Sequence, residues 1–193
     1  MIALLDRRPL LVALAGPNGA GKSTFYHSQL AESGLRFVNA DQLALHLRLA
    51  PYGAAELADK VRRELVAKNE SFIFETVFSD PAGNKLRFLQ DAEKSGYNVV
   101  LFFIGIDGPE TSEARVTMRV LKGGHDVPTD KIKSRYARTM VNLQRALVTL
   151  SNVFVHDNSD LLTPYRLVAA RTEGELRIHP PVPGWLEPLL PPR

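Results

Sequence analysis

The stretch Leu10-Leu-Val-Ala-Leu-Ala-Gly-Pro-Asn-Gly-Ala-Gly-Lys-Ser-Thr24 decides the fold, because an apolar run leads directly into a glycine-rich loop. The apolar run predicts a buried strand, and the residues after the loop are compatible with a helix. Together they match the G-x-x-x-x-G-K-[ST] phosphate-binding pattern, in the strand-to-helix context that this pattern requires. The sequence therefore predicts a phosphate site at the end of the first strand of an α/β fold.

The residue types in this loop suit a bound nucleotide. Its glycines allow the backbone to curl so that successive N–H groups point inward, and the dipole of the following helix adds positive potential. Lys22 can reach the β- and γ-phosphates, and the Ser23 hydroxyl can ligate Mg²⁺. We therefore expect ATP and Mg²⁺ as cofactors, although a glycine-rich turn that binds nothing is the alternative. The expected nucleotide contacts are Gly16, Pro17, Asn18, Gly19, Ala20, Gly21, Lys22, Ser23 and Thr24.

Length and composition limit the class of protein. The 193 residues suit one domain, and a content of 45% hydrophobic and 23% charged residues is ordinary for a globular chain. The net charge of +3 is dispersed among 21 acidic residues, which favours a pocket for small anions over a nucleic-acid surface. The lack of cysteine excludes a disulfide framework and cysteine-based zinc sites. We expect a cytoplasmic protein without a membrane partner, because neither a signal-peptide pattern nor a membrane-spanning apolar run is present.

Strand and helix patterns alternate after the loop, which predicts a mostly parallel sheet with helices on both faces. Buried strands are expected at 35–39, 71–76, 98–107 and 153–156, with a hairpin of 167–170 and 175–178. Helices are expected at 24–32, 42–49, 54–68, 81–95, 110–121 and 131–150. We expect residues 1–178 to form a single domain. The proline-rich tail at 179–193 is expected to be extended and partly disordered, with Trp185 as its anchor.

Polar residues end three of the predicted strands, at the sheet edge where open α/β folds bind ligands. Asp41 follows the second strand, and its carboxylate can take a proton from an attacking hydroxyl or cap the next helix. Glu75 and Thr76 close the third strand, where Glu75 is either a site residue or a solvated acid. Asp107 ends the fourth strand, where it can support a metal ion or start the next helix.

Three arginines flank a glycine-containing bend in the second half of the chain. Arg119 precedes the bend, and Arg135 and Arg138 follow it at the start of the longest predicted helix. They could fold over a nucleotide and neutralise the charge that develops on a transferred phosphoryl group. A solvated basic face is the alternative. The functional interpretation predicts a lid over about residues 119–138.

Four groups of residues, taken in order, carry a resemblance to a known family. They are the loop at 16–24, Phe37-Val-Asn-Ala-Asp41, Phe74-Glu-Thr76, and Arg119 with Gly123-Gly-His-Asp-Val-Pro128 before Arg135-Tyr136. This ordered set resembles the zeta-toxin family, in particular its short stand-alone bacterial branch, over about residues 10–159. The resemblance implies a P-loop kinase fold. It also implies transfer of the γ-phosphate of ATP to a sugar hydroxyl of UDP-N-acetylglucosamine or a related nucleotide sugar.

The resemblance also implies roles for individual residues. Lys22 is similar to the family's phosphate-binding lysine, and Ser23 to its magnesium ligand. Asp41 is similar to the base that acts on the substrate hydroxyl, so the resemblance favours catalysis over helix capping. Glu75 and Thr76 fall where family members hold the substrate.

The arginines follow the family pattern only in part. Arg119 matches an arginine on the transferred phosphate, but a second family arginine lies just ahead of the proline that opens the long helix, where this chain has Gly124-His-Asp-Val127. Either Arg135 or Arg138 supplies that charge, or the chemistry differs. The resemblance further implies a small antitoxin protein as partner. The residues alone leave open a kinase of a nucleoside, dinucleotide or small sugar, or an ATP-hydrolysing switch.

Overall fold

The computed structural model describes residues 2–121, 123 and 127–191. The strands in these residues are β1 (Leu10–Ala15), β2 (Arg36–Val38), β3 (Phe72–Thr76), β4 (Asn98–Gly105), β5 (Val153–Asp157), β6 (Arg166–Thr172) and β7 (Glu175–Ile178). They form one sheet in the order β2-β3-β1-β4-β5-β6-β7. The first five strands are parallel, and β6 and β7 add an antiparallel hairpin at one edge. The predicted mostly parallel sheet is confirmed.

Helices cover both faces of the sheet, as predicted. They are α1 (Ile2–Leu5), α2 (Lys22–Phe25), α3 (Ala40–Leu47), α4 (Pro51–Ala67), α5 (Asn84–Lys94), α6 (Gly108–Leu121) and α7 (Thr129–Thr149). After α2 the chain continues through a π-helical turn, Tyr26–Leu30, and a 3-10 turn, Ala31–Ser33. Buried residues of α4, α5 and α7 form one core, and those of α1 and α2 form the other. Across the described residues, no helix has the length and apolarity needed to cross a membrane.

β1 lies between these two cores, which explains its uninterrupted apolar sequence. Alternate residues point to opposite faces of a strand. Leu11, Ala13 and Ala15 therefore belong to the core of α4, α5 and α7, while Leu10, Val12 and Leu14 belong to the other. Each fully buried leucine contributes roughly 1.5–3 kcal/mol relative to an exposed one. Burial on both faces is typical of a central strand in a parallel sheet.

Two helices, α4 and α5, begin three residues away from the predicted positions. The segment 51–53 was expected to interrupt helical structure, but α4 begins at Pro51. Proline is favoured in the first turn because its missing N–H has no intrahelical acceptor there. The helix expected from residue 81 begins only at Asn84, because Gly83 adopts a left-handed φ of 69° directly before it.

The prediction of a partly disordered tail is wrong for residues 179–191, which pack on the sheet. Trp185 is 9% exposed, and a Cβ added to Gly105 would lie 2.1 Å from its ring. The indole Nε1 donates a hydrogen bond to Asp157 Oδ1 at 3.0 Å. Leu186 is fully buried in the same core as α7. Trp185 therefore anchors the tail as expected, and a domain boundary at residue 178 stays a prediction.

Replacement of Trp185 by alanine should lower the free energy of unfolding by about 3 kcal/mol, because it removes a buried ring against a glycine that cannot fill the space. Urea titration followed by circular dichroism measures this loss. The control is Leu162→Ala, since Leu162 is 91% exposed and its truncation should leave stability unchanged. A Trp185→Ala protein as stable as the wild type would show that the tail does not contribute to the core.

Candidate active site

Strand register brings the predicted acidic residues to the nucleotide loop. In the parallel pair of β1 and β3, Leu14 lies opposite Glu75 and Ala15 opposite Thr76. Glu75 therefore lies beside the point where the loop at 16–24 leaves β1. β2 pairs with β3 on its other side, with Val38 opposite Phe74, so the next residue, Asn39, also approaches Glu75. The predicted meeting of these strand ends at one edge is confirmed.

The loop itself requires glycine at positions where backbone or side-chain atoms of other elements come close. Gly16 has a φ of 145°, and a Cβ there would lie 2.2 Å from the carbonyl oxygen of Ile104. Gly21 has a φ of 90°, and a Cβ there would lie 2.8 Å from the Asn158 amide nitrogen. L-residues with a side chain rarely adopt such φ values. This tight, inward-curled backbone fits the phosphates of a nucleotide.

Side chains from neighbouring elements fix the outer side of the loop. The Asn158 amide donates to the carbonyl of Ala20 at 2.8 Å, and the Tyr165 hydroxyl donates to that of Gly21 at 3.0 Å. The Ser112 hydroxyl of α6 donates to the carbonyl of Asn18. These carbonyls are engaged on the outside, and the N–H of Ala20 donates to the carbonyl of Pro17 at 3.3 Å. We expect the other N–H groups of the curled loop to face an anion.

Lys22 is the buried cation of the site, with an exposure of 6%. Its ammonium donates to the carbonyl of Pro17 at 3.0 Å and lies 3.8 Å from Glu75 Oε1. Burial is the main cause that lowers the pKa of Lys22, whereas the carboxylates of Glu75 and Asp41 raise it and the Arg119 guanidinium lowers it. The structure thus brings Asp41, Glu75 and Arg119 within electrostatic reach of Lys22.

Glu75 connects the loop with the second strand. Its Oε2 accepts one hydrogen bond from the Ser23 hydroxyl and another from the Asn39 amide, both at 3.0 Å. The sequence predicted Glu75 and Thr76 as substrate contacts, and both do line the cleft described below. The contacts of Glu75 with Lys22 and Ser23 were not predicted, because they arise from strand pairing between segments distant in sequence.

The helix-capping interpretation of Asp41 is wrong, because Asn39 caps α3. Asn39 Oδ1 accepts hydrogen bonds from the backbone N–H groups of Asp41 at 2.8 Å and Gln42 at 3.2 Å. Asn is among the most favoured N-cap residues, a signal that the sequence offered. Asp41 instead lies in the first turn of α3 with an exposed side chain at the cleft. Its carboxylate is therefore available to a substrate.

A cleft of about 160 Å³ opens beside these residues, lined by Asn39, Ala40, Asp41, Ala55, Ala58, Arg62, Glu75, Thr76, Val77 and Lys85. A second cavity of about 510 Å³ lies between α4 and α5, and Arg62 and Lys85 line both spaces. Sequence reasoning missed these two cations, because each lies within an amphipathic helix and no motif marks it. We call the smaller space the inner cleft and the larger one the outer cavity.

The predicted lid arginines differ in position. Arg119 is exposed on α6 and acts electrostatically on Lys22. Arg138 is half-buried, and its Nε donates to the carbonyl of Ser79 at 2.9 Å, so it holds α7 against the segment after β3. Arg135 is half-buried on α7. Lys122 and Gly124–Asp126 of the predicted lid lie outside the described residues. The catalytic roles of all three arginines stay predictions.

The donor set fits Mg²⁺ as proteins commonly bind it, through few side-chain oxygens together with substrate phosphates. The Ser23 hydroxyl and the Glu75 carboxylate supply such oxygens at the start of the loop helix. Within the described part of the chain, no cluster of three or more His, Cys, Asp or Glu side chains could hold a metal ion. Asp107 is exposed directly before α6.

The chain is similar in sequence and in fold to several known proteins. The sequence model of the family described as "Zeta toxin" matches residues 48–166, more than half of the chain. An uncharacterized protein of Haemophilus influenzae is 31% identical over 127 residues, which are 63% of this chain and 88% of that protein. A crystal structure of the AvrRxo1-ORF1:-ORF2 complex with ATP superposes with a TM-score of 0.70 at 19% identity. A structure from the PezAT toxin-antitoxin system of Streptococcus pneumoniae gives a TM-score of 0.60 at 15% identity.

The extent of these matches decides what each supports. The AvrRxo1 superposition covers 90% of this chain but only 61% of the other, and the PezAT superposition covers 86% and 72%. At such low identity they support the fold alone. The family match, by contrast, runs from before α4 to the start of β6 and includes Glu75, Thr76 and the flanking arginines. The chain therefore belongs to the zeta toxin family.

Proposed function

We propose that the protein is an ATP-dependent phosphotransferase of zeta-toxin type, which transfers the γ-phosphate of ATP to a hydroxyl group of a small acceptor. The observation that carries this proposal is the buried Lys22 ammonium of the loop, 3.8 Å from Glu75, which lines the same cleft as Asp41. Membership of the family and the P-loop kinase-like fold support it. Phosphoryl transfer needs mainly positioning and charge neutralisation, which this constellation can supply.

On the nucleotide side, the loop N–H groups and Lys22 bind the phosphates of ATP. Bound Mg²⁺ would neutralise charge on the β- and γ-phosphate oxygens. Ser23 is the proposed magnesium ligand, and Glu75 orients it by accepting a hydrogen bond from its hydroxyl, with 3.0 Å between Ser23 Oγ and Glu75 Oε2. Glu75 also lies 3.8 Å from Lys22 and so keeps the ammonium directed into the loop. Arg119 stabilises the charge that develops on the transferred group.

On the acceptor side, Asp41 removes the proton of the attacking hydroxyl. Its carboxylate lines the inner cleft together with Glu75 and Thr76, which we propose hold the acceptor. Glu75 lies 3.8 Å from Lys22 and lines the same cleft as Asp41, so we propose that the acceptor hydroxyl and the γ-phosphate meet there. Correct positioning of two reactants can supply several kcal/mol of the rate enhancement, of the order of 7–11 kcal/mol in the best cases.

We propose UDP-N-acetylglucosamine or a related nucleotide sugar as the acceptor, on the basis of the family. A nucleoside, a dinucleotide or a small sugar is the alternative. We further propose a small antitoxin protein as partner. Two structural neighbours support this, since one is a complex of AvrRxo1-ORF1 with AvrRxo1-ORF2 and the other comes from the PezAT toxin-antitoxin system.

Substitution of Asp41 by asparagine should reduce phosphoryl transfer by about 100-fold or more, because the amide cannot accept the hydroxyl proton. The dissociation constant for ATP should stay unchanged. Transfer is measured by mass spectrometry of the acceptor, and ATP affinity by calorimetry. Asp6→Asn is the matched control, since Asp6 is exposed and outside the site. Undiminished turnover of Asp41→Asn would remove Asp41 from the mechanism.

Replacement of Arg119 by alanine should lower kcat by about 100-fold or more while changing the affinity for ATP little, because its charge acts in the transition state. Steady-state kinetics with varied ATP separates the two effects. Arg135→Ala and Arg138→Ala are measured in parallel, and the one that slows turnover is the second phosphate-binding arginine. An equal loss in kcat and in nucleotide affinity for Arg119→Ala would indicate plain binding instead.

Expression of the wild-type chain in a bacterial host without an antitoxin should slow growth, and Lys22→Ala should relieve the effect, because the loop lysine is needed for phosphate binding. Growth curves at matched protein levels give the measurement. Harmless expression of a protein whose kinase activity is demonstrated in the same cells would contradict a toxin role and leave the enzymatic proposal intact.

A further inference from the structure

We propose that Trp185 of the C-terminal tail is a positioning residue for nucleotide binding. Its indole N–H holds Asp157, the last residue of β5, and the next residue, Asn158, supports the nucleotide loop from outside. The tail that carries Trp185 lies beyond residues 48–166, the part of the chain that the family model matches. The inference rests on the proposed binding of ATP at the loop and assumes nothing about the acceptor.

Asn158 fixes the direction of one peptide group in the loop. Its side-chain amide donates to the carbonyl of Ala20 at 2.8 Å, and both residues are buried. A trans peptide is planar, so its N–H points away from its C=O. The contact on the outside therefore directs the N–H of Gly21 to the inside, where we expect the phosphates. Without it the peptide could rotate, since glycine offers little steric resistance.

The residues on either side of Asn158 hold it in turn. Its backbone N–H donates to the carbonyl of Gly105 at 2.9 Å, which continues the pairing of β5 with β4. Asp157 Oδ1 accepts hydrogen bonds from the backbone N–H of Ser159 at 3.2 Å and from the Ser159 hydroxyl at 2.6 Å. The carboxylate thus closes a tight turn around Asn158. A rotation of the carboxylate would move this turn and the Asn158 side chain with it.

The tail engages both oxygens of this carboxylate, and Asp157 is only 8% exposed. Trp185 Nε1 donates to Oδ1 at 3.0 Å. Arg166 Nη2 lies 3.5 Å from Oδ2, and Arg166 Nη1 donates to the tail carbonyl of Pro181 at 2.7 Å. Water cannot readily replace a donor to a buried carboxylate. Without the indole N–H, the carboxylate would turn towards Arg166 and loosen the turn around Asn158.

The ring and the N–H of Trp185 have separable roles. The ring packs against Gly105 of β4 and belongs to the core, whereas the N–H contacts only Asp157 among the described residues. Phenylalanine keeps an aromatic ring but has no hydrogen-bond donor. Trp185→Phe therefore removes the positioning contact and retains most of the packing.

The first experiment measures nucleotide affinity by calorimetry, with Mg²⁺ and the non-hydrolysable analogue AMP-PNP. Trp185→Phe should raise the dissociation constant about fivefold, within the range for coupling through a hydrogen-bond network. Asn158→Ala removes the contact with the loop itself and should raise it about tenfold. The matched control is Leu186→Ala, because Leu186 is a fully buried tail residue. Its truncation should lower stability, recorded by thermal unfolding, and leave the affinity unchanged.

A double-mutant cycle tests the route through Asn158. If Trp185 acts through Asn158, Trp185→Phe should have little further effect on the dissociation constant of the Asn158→Ala protein. Fully additive effects would overturn the proposal, as would an unchanged affinity of Trp185→Phe. If Trp185→Phe fails to fold, Ser159→Ala takes its place under the same criteria, because it removes a hydroxyl that binds the same carboxylate oxygen.

A spectroscopic measurement tests the coupling in the opposite direction. Coupling is reciprocal, so a contact that strengthens nucleotide binding is itself strengthened by the nucleotide. Trp185 is the single tryptophan of the chain, and its indole N–H therefore gives one signal in a proton–nitrogen NMR spectrum. AMP-PNP should shift this signal and slow its exchange with solvent, and the response should be smaller in Asn158→Ala. A signal that AMP-PNP leaves unchanged in the wild type would contradict the coupling.

The positioning role and the proposed function can fail separately. If AMP-PNP affinity depends on Trp185 but no acceptor gains phosphate, the positioning role stands and the phosphotransferase fails. If transfer occurs and Trp185→Phe binds AMP-PNP as tightly as the wild type, the phosphotransferase stands and the positioning role is wrong. A wild-type protein that binds no AMP-PNP would overturn both.

Discussion

A buried lysine ammonium needs negative charge and hydrogen-bond acceptors close by, and the site is built around this need of Lys22. The carbonyl of Pro17 accepts its hydrogen bond, and Glu75 lies 3.8 Å away. Glu75 reaches this position only because β3 pairs with β1 in the observed register. β2, on the other side of β3, brings Asn39 to Glu75 and so fixes the start of α3 with Asp41. The order of three strands thus determines the geometry of the site.

The positive charges near the site lie in two separate groups of residues. Lys22 is buried in the loop, whereas Arg62 and Lys85 line the inner cleft and the outer cavity. Asp41 also lines the inner cleft. A mildly basic chain without a concentrated basic tract is consistent with small anionic ligands.

Local signals predicted the loop and the sheet, and tertiary contacts account for what was missed. The glycine spacing at 16–24 fixes the loop because close backbone approach and left-handed φ values require glycine there. Asp41 could be placed at the site from its position after a strand. The contact of Glu75 with Ser23 could not be predicted, because it depends on the register between β1 and β3, which are distant in sequence. Arg62 and Lys85 come together only because α4 packs beside α5. The tail is ordered because the Trp185 ring packs against Gly105 of β4, which has no side chain.

The central claim is that this arrangement of charges transfers phosphate from ATP to an acceptor hydroxyl. The most direct test incubates the wild-type protein with Mg²⁺, ATP and a panel of UDP-sugars, dinucleotides, nucleosides and free sugars, and follows every compound by mass spectrometry. We predict that one phosphate-bearing compound gains the mass of one phosphate as ATP is converted to ADP. Binding of ATP without modification of any acceptor, or conversion of ATP to ADP at the same rate with and without the panel, would contradict the account and favour an ATP-hydrolysing switch.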